Sequence, residues 1–189
     1  MVMRSSANET SSPETGLTAS PRSSSVFSPR RITAAGTPTK IASAGVHLEG
    51  ALVVPDKPAR FGPIAGKLIA GAENENLLHA FAPDGTSTTY DVGVKVEDID
   101  YIGPKENFFG VNFGTSHLLG AAADQFKPMI GDVLLTTEFG AAGASGLFRL
   151  KWDGAKLVGE PVPLGAGSAT VGQWEHTTFA PTGIVEIPP

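Results

Sequence analysis

Phe61-Gly-Pro-Ile-Ala-Gly-Lys-Leu-Ile-Ala-Gly-Ala-Glu73 is echoed 65 positions later by Phe126-Lys-Pro-Met-Ile-Gly-Asp-Val-Leu-Leu-Thr-Thr-Glu138. Phe, Pro, Gly and Glu recur at matching places, and the apolar positions agree. Further along, after a four-residue insertion, Leu78 to Pro83-Asp84-Gly85 aligns with Leu147 to Trp152-Asp153-Gly154. Each copy reads as strand, loop carrying a Glu, strand, Asp-Gly turn, strand. The Asp-Gly pair suits a hairpin because a type I′ turn needs positive φ at its central residues. Apart from the short stretch 116–125, no window holds a 3.6-residue apolar stripe free of Gly and Pro, so the expected architecture is all-β.

A second echo involves the segments that precede these units. His47-Leu-Glu-Gly-Ala-Leu-Val-Val-Pro55, Val96-Glu-Asp-Ile-Asp-Tyr-Ile-Gly-Pro104 and Gln173-Trp-Glu-His-Thr-Thr-Phe-Ala-Pro181 share a scheme that makes Glu49, Asp98 and Glu175 equivalent. A recurring four-strand unit of about 40–50 residues is the signature of a β-propeller blade, with the acid-bearing run innermost. The 149 residues after Lys40 suffice for about two and a half to three such blades, whereas complete rings usually need at least four. The expectation is a partial β-propeller over residues 46–189, part of a longer chain or completed by another subunit. Open sheet edges would then favour self-association.

The first 45 residues read differently. Residues 1–40 hold nine Ser, six Thr and four Pro and carry five basic against two acidic residues. A segment so poor in large apolar groups cannot offset its ordering entropy, so residues 1–45 are expected to form a disordered tail. The whole chain has a formal net charge of −5, so the part beyond residue 40 carries −8 and repels phosphate, which argues against nucleic acid. No apolar run approaches a membrane span and no signal-peptide core follows Arg4, so the chain reads as cytoplasmic and free of membranes. The absence of Cys excludes disulfides, thiolate metal sites and thiol nucleophiles.

The segments Gly66-Lys-Leu-Ile-Ala-Gly71 and Ala82-Pro-Asp-Gly85, with the Glu49-Gly50 pair at an inner-strand start, resemble β-propellers of the NHL and gluconolactonase-like (SMP-30-type) group. In the gluconolactonase-like members an inner-strand Glu-Gly-Pro supplies a metal-binding Glu. The resemblance implies that role for Glu49, although Ala51 stands where those proteins have Pro.

Three inner strands opening side by side would bring Glu49, Asp98 and Glu175 to one channel mouth. Converging carboxylates must take up a proton, bind a cation or stay solvated, and an oxygen-only set without Cys suits Ca²⁺ or Mg²⁺. Glu97, Asp100, Glu106 and Asn107 are close enough in sequence to add oxygens. Strict alternation puts Asp98 and Asp100 on one face and turns Glu97 away. The leading function is a binding module for a ligand or protein partner at this mouth, with either Ca²⁺ or no cofactor; Glu49, Asp98 and Glu175 are the metal ligands in the first case and a solvated acidic ring in the second. The alternative is a metal-dependent lactonase-like hydrolase, or an inactive fragment of one, with His47 or His176 as base. No His-Glu-x-x-His, nucleophile elbow or phosphate-loop motif is present. Trp152, Trp174 and the run Phe108-Phe109-Gly-Val-Asn-Phe113 are expected to be buried between sheets, the run having an apolar ligand patch as its second reading.

Overall fold

The computed structural model describes residues 28–139, 145–163, 165 and 172–181. In chain order the strands are β1 (Arg30–Ile32), β2 (Pro38–Lys40), β3 (Glu49–Val53), β4 (Leu68–Ala72), β5 (Leu77–Phe81), β6 (Ser87–Tyr90) and β7 (Ile99–Tyr101). They continue as β8 (Glu106–Asn112), β9 (His117–Ala121), β10 (Val133–Thr136), β11 (Leu147–Trp152), β12 (Leu157–Pro161) and β13 (Trp174–Pro181). All pairings are antiparallel, as the all-β reading requires. The first large sheet is the meander β3-β4-β5-β6, the second is β7-β10-β11-β12, and a third has the order β13-β8-β9.

The aligned segments explain how the two four-stranded sheets are built alike. Phe61 ends the short helix α1 (Pro58–Phe61), Phe126 lies in a 3₁₀ turn, and both rings are buried. Each segment then passes a glycine with positive φ, Gly66 or Gly131, and enters the second strand of its sheet. Alternation along these second strands distributes side chains between two cores. On β10, Val133 and Leu135 join a core shared with Ile69 and Leu78 of the first sheet, while Leu134 joins Phe108, Phe126 and Trp174 on the third-sheet side. On β4, Ile69 faces the second sheet, and Leu68 and Ala70 meet Ile41, Ala42, Ala44 and Leu48. The sheets are therefore stacked, and the middle strands are buried on both faces. Burying a side chain such as Leu134 completely is worth about 1.5–3 kcal/mol.

The β8–β9 hairpin leaves the second sheet after β7 and pairs instead with β13, more than sixty residues on in the chain. Its helical-looking stretch 116–125 is β9 followed by a 3₁₀ turn. Phe108 packs among Phe126, Trp174 and Phe179 with ring centroids 5.4–5.6 Å away. Its neighbours Phe109, Val111 and Phe113 are exposed, so the run has one buried and one open face rather than two buried ones. Trp174 lies in the core between the second and third sheets, and Trp152 covers Gly62 beside the first.

The expected structureless tail falls partly on residues 1–27, which lie outside the described residues. From residue 28 onward, β1 and β2 form a hairpin, and Ile41, Ala42, Ala44 and Leu48 pack against Leu68, Ala70 and Phe81.

Candidate metal centre

Five glutamates from separate places in the chain meet where β3, β7 and β13 lie next to one another. Glu49 opens β3, Glu73 follows β4, Glu97 precedes β7, Glu138 follows β10, and Glu175 belongs to β13. The strand geometry that aims them is irregular. The β3–β4 register shifts between Glu49 and Leu52, and Gly50 takes a φ of +55° there. A Cβ on Gly50 would stand 2.8 Å from the Ile99 nitrogen, so glycine lets β3 lie directly against the backbone that opens β7. In β13 the register against β8 slips between Trp174 and His176, which leaves Glu175 as the extra residue of a β-bulge. Gly71 is equally constrained, since a Cβ there would come within 2.2 Å of the Val96 carbonyl oxygen.

The carboxylates form two overlapping triads, Glu49–Glu73–Glu97 and Glu97–Glu138–Glu175, in each of which the candidate ligand oxygens lie within 4.8 Å of one another. Glu73 and Glu97 are 7% and 5% exposed. Burial pushes the Glu97 carboxyl up to about 9, helped by a hydrogen bond with Glu49 and by its charge. Glu138 is pushed up to about 7 by burial and then by Glu175, to which it is hydrogen-bonded. Glu73 is raised by burial and by the Glu49 charge, with a Glu138 backbone hydrogen bond, Lys95 and His47 acting the other way. The mutual repulsion of the carboxylates therefore adds to burial in raising Glu73, Glu97 and Glu138. Among the described residues, no lysine or arginine forms an ion pair with any of the five.

Two oxygens are left over. Glu73 Oε1 and Glu49 Oε2 are buried without a hydrogen-bond partner. Such orphaned acceptors are costly unless something positive answers them. An all-oxygen donor set with two open acceptors fits a hard divalent cation such as Ca²⁺ or Mg²⁺.

Of the residues expected from sequence to bind metal, Glu49 and Glu175 sit in this cluster, in different triads. Asp98 is turned elsewhere: its Oδ1 accepts the Ile99 N–H at 2.8 Å and its Oδ2 accepts the Thr177 N–H of β13 at 2.7 Å. Asp100, on the same face as alternation demands, accepts the N–H groups of Tyr101 and Phe179, both at 3.0 Å. Burial, with the Asp98 charge adding, raises the Asp100 carboxyl to about 6. The two aspartates fasten β13 to β7, and Glu97 takes the inward place that alternation denied it. Asn107 accepts the Ala123 N–H instead of joining the cluster.

Glu73 and Glu138 occupy matching ends of the two aligned segments, a signal visible in the sequence but read there only as loop chemistry. His47 Nδ1 is 3.1 Å from Glu49 Oε1, whereas His176, the residue after the β13 bulge, is exposed. Ser145 is buried, its hydroxyl bonded to the backbone of Leu147. The glycine-rich stretches 140–144 and 166–171 lie outside the described residues. No family model, curated protein or solved structure matches the chain.

Proposed function

We propose that the chain is a run of β-propeller blades forming a binding module, with a divalent cation held by glutamates where the inner strands converge. In this reading the two four-stranded sheets are two blades and β13-β8-β9 contributes a third, in the manner of NHL and gluconolactonase-like proteins. The site would then present a bound cation to a ligand at the channel mouth. The observation that carries the cation is Glu73: a nearly buried side chain whose Oε1 has no partner while it faces Glu49 and Glu97. A site that binds the folded state alone raises stability by mass action. The melting temperature should rise by several degrees in millimolar Ca²⁺ and return when a chelator is added. An unchanged melt across Ca²⁺, Mg²⁺ and Mn²⁺ sinks the proposal.

The lactonase-type alternative is favoured by one contact, the placement of His47 beside Glu49. It requires hydrolysis of simple lactones by the Ca²⁺-loaded protein and loss of that hydrolysis in His47→Gln. Cation binding without hydrolysis leaves the binding module.

A further inference from the structure

We propose that the first sheet carries a second site on the face turned away from the second sheet, a cleft for a small amphiphile with an apolar tail and an anionic, carboxylate-like head. The inference goes beyond the cation-binding reading and does not depend on it. Val53, Leu68 and Phe81 stand directly opposite one another on β3, β4 and β5, so they form one apolar row on a single face. The segment behind the β1–β2 hairpin covers most of that face, packing Ile41, Ala42, Ala44 and Leu48 against Leu68, Ala70 and Phe81. Val53 is outside that packing and is 50% exposed. What remains is a cleft of about 360 Å³ with the row Val53, Leu68 and Phe81 in its lining. Small-molecule clefts commonly span about 300–1,000 Å³. Glu49 and Val53 are the two ends of β3, so the strand separates this cleft from the glutamates.

The hairpin supplies the charge. Arg31, Thr39 and Lys40 line the cleft, and among the described residues neither Arg31 nor Lys40 has an ion-pair partner. Residues 28–45 hold three basic residues and no acidic one, in a chain whose net charge is −5. An anion is therefore received here more readily than elsewhere on the molecule. Asp84, the acid in the lining, is already engaged: its Oδ1 accepts the Thr86 N–H at 2.9 Å and the Thr86 hydroxyl at 2.7 Å. A Cβ on Gly85 would stand 2.9 Å from the Ile41 carbonyl oxygen, so the Asp-Gly turn and the hairpin exit meet as one continuous wall. An apolar row beside two unpaired cations suits a molecule that is apolar at one end and anionic at the other. Its tail would cover Val53, and its head would take charge-assisted hydrogen bonds from Arg31 and Lys40. The chain's own residues 1–27 carry two basic and two acidic residues, so they bring no net negative charge to those cations.

The test is isothermal titration calorimetry of the full chain with sodium decanoate, set against decanol and decyltrimethylammonium as the neutral and cationic forms of the same tail. Decanoate should bind at one saturable site, decanol about tenfold more weakly, and the ammonium compound not at all. Added salt should narrow the gap between decanoate and decanol. Arg31→Gln combined with Lys40→Gln should bring decanoate down to the affinity of decanol, and Val53→Asp should abolish the binding of both. All three substituted residues are exposed. Equal binding of the three compounds overturns the site, as does a decanoate affinity untouched by Val53→Asp or by loss of both cations. Absence of saturable decanoate binding overturns it too, including the case in which the chain sediments with phosphatidylglycerol vesicles and ignores monomeric decanoate. If Val53→Asp fails to fold, the head-group series and the salt dependence of the wild-type chain decide alone.

Discussion

Asp132 and Glu73 are both acids buried just outside a strand, and the molecule treats them in opposite ways. Asp132, 2% exposed, precedes β10 and receives the guanidinium of Arg60 from α1 (Nε to Oδ1, 2.6 Å) together with that of Arg149 from β11. Arg60 also donates to the Ile130 carbonyl at 2.8 Å, so one acid ties the helix between β3 and β4 of the first sheet to β11 and the start of β10 in the second. Among the described residues Glu73 and its four companions have no guanidinium partner; Lys95 acts on Glu73 from a distance while its ammonium stands 4.3 Å from the centre of the Phe139 ring. Buried charge is tolerable only when answered. The arginine-clamped acid is answered within the chain and serves the architecture. The glutamates lie against one another instead, and two of their buried oxygens, Glu73 Oε1 and Glu49 Oε2, have no hydrogen-bond partner.

The contrast can be broken most forcefully at Asp132. Asp132→Ala leaves two guanidinium groups facing each other without their acceptor and should cost about 3 kcal/mol, read from the urea midpoint, with Ca²⁺ binding retained. A loss below about 1 kcal/mol would mean that the clamp is not structural.

A second, smaller effect is the pH dependence of the metal-free protein. Raised carboxyl pKa values mean that the folded state holds protons the unfolded chain releases, so stability is present below about pH 4.5 and is lost as pH rises through the folded values. With Asp100 near 6, Glu138 near 7 and Glu97 near 9, stability should fall between pH 5 and 9. The drop should be about 2 kcal/mol, because partial exposure of Glu49, Glu138 and Glu175 screens the repulsion. Saturating Ca²⁺ should flatten the slope and Glu97→Gln should remove most of it; a melt that rises with pH contradicts the raised carboxyl values.

The smallest effect sharpens the distinction between Asp98 and the glutamates. Asp98→Ala strips the Thr177 N–H of its acceptor and should cost about 1–2 kcal/mol, Asp98→Asn should recover most of it, and neither should change Ca²⁺ binding. If Asp98→Asn abolishes the Ca²⁺ response, Asp98 belongs to the metal centre after all.

The two segments quoted first were legible because their signals are local. Each leads through a positive-φ glycine into the second strand of a four-stranded sheet, and Gly85 and Gly154, with φ of +89° and +99°, make the turns expected after β5 and β11. The β8–β13 pairing was not legible, since nothing in the apolar pattern of residues 106–112 says which distant strand it will join. The same limit applies to the site. The echo picked out Glu49 and Glu175, but the turn at Gly50 and the bulge at Glu175 are backbone events without a compositional mark. Alternation grouped Asp98 with Asp100 correctly, yet it could not tell that their oxygens would be used by backbone amides of β13 and that the residue facing the other way, Glu97, would meet the other glutamates.

The fastening of β13 has a consequence for the behaviour of the chain in concentrated solution. The N–H groups that point away from β8 would ordinarily form a ladder onto which a stray extended peptide could add. Here the Trp174 N–H is taken by the Thr137 carbonyl, and those of Thr177 and Phe179 by the two aspartates. Three donors along the free edge of an eight-residue strand are thereby occupied, two by aspartate side chains and one by a backbone carbonyl, which leaves that edge less open to an incoming strand.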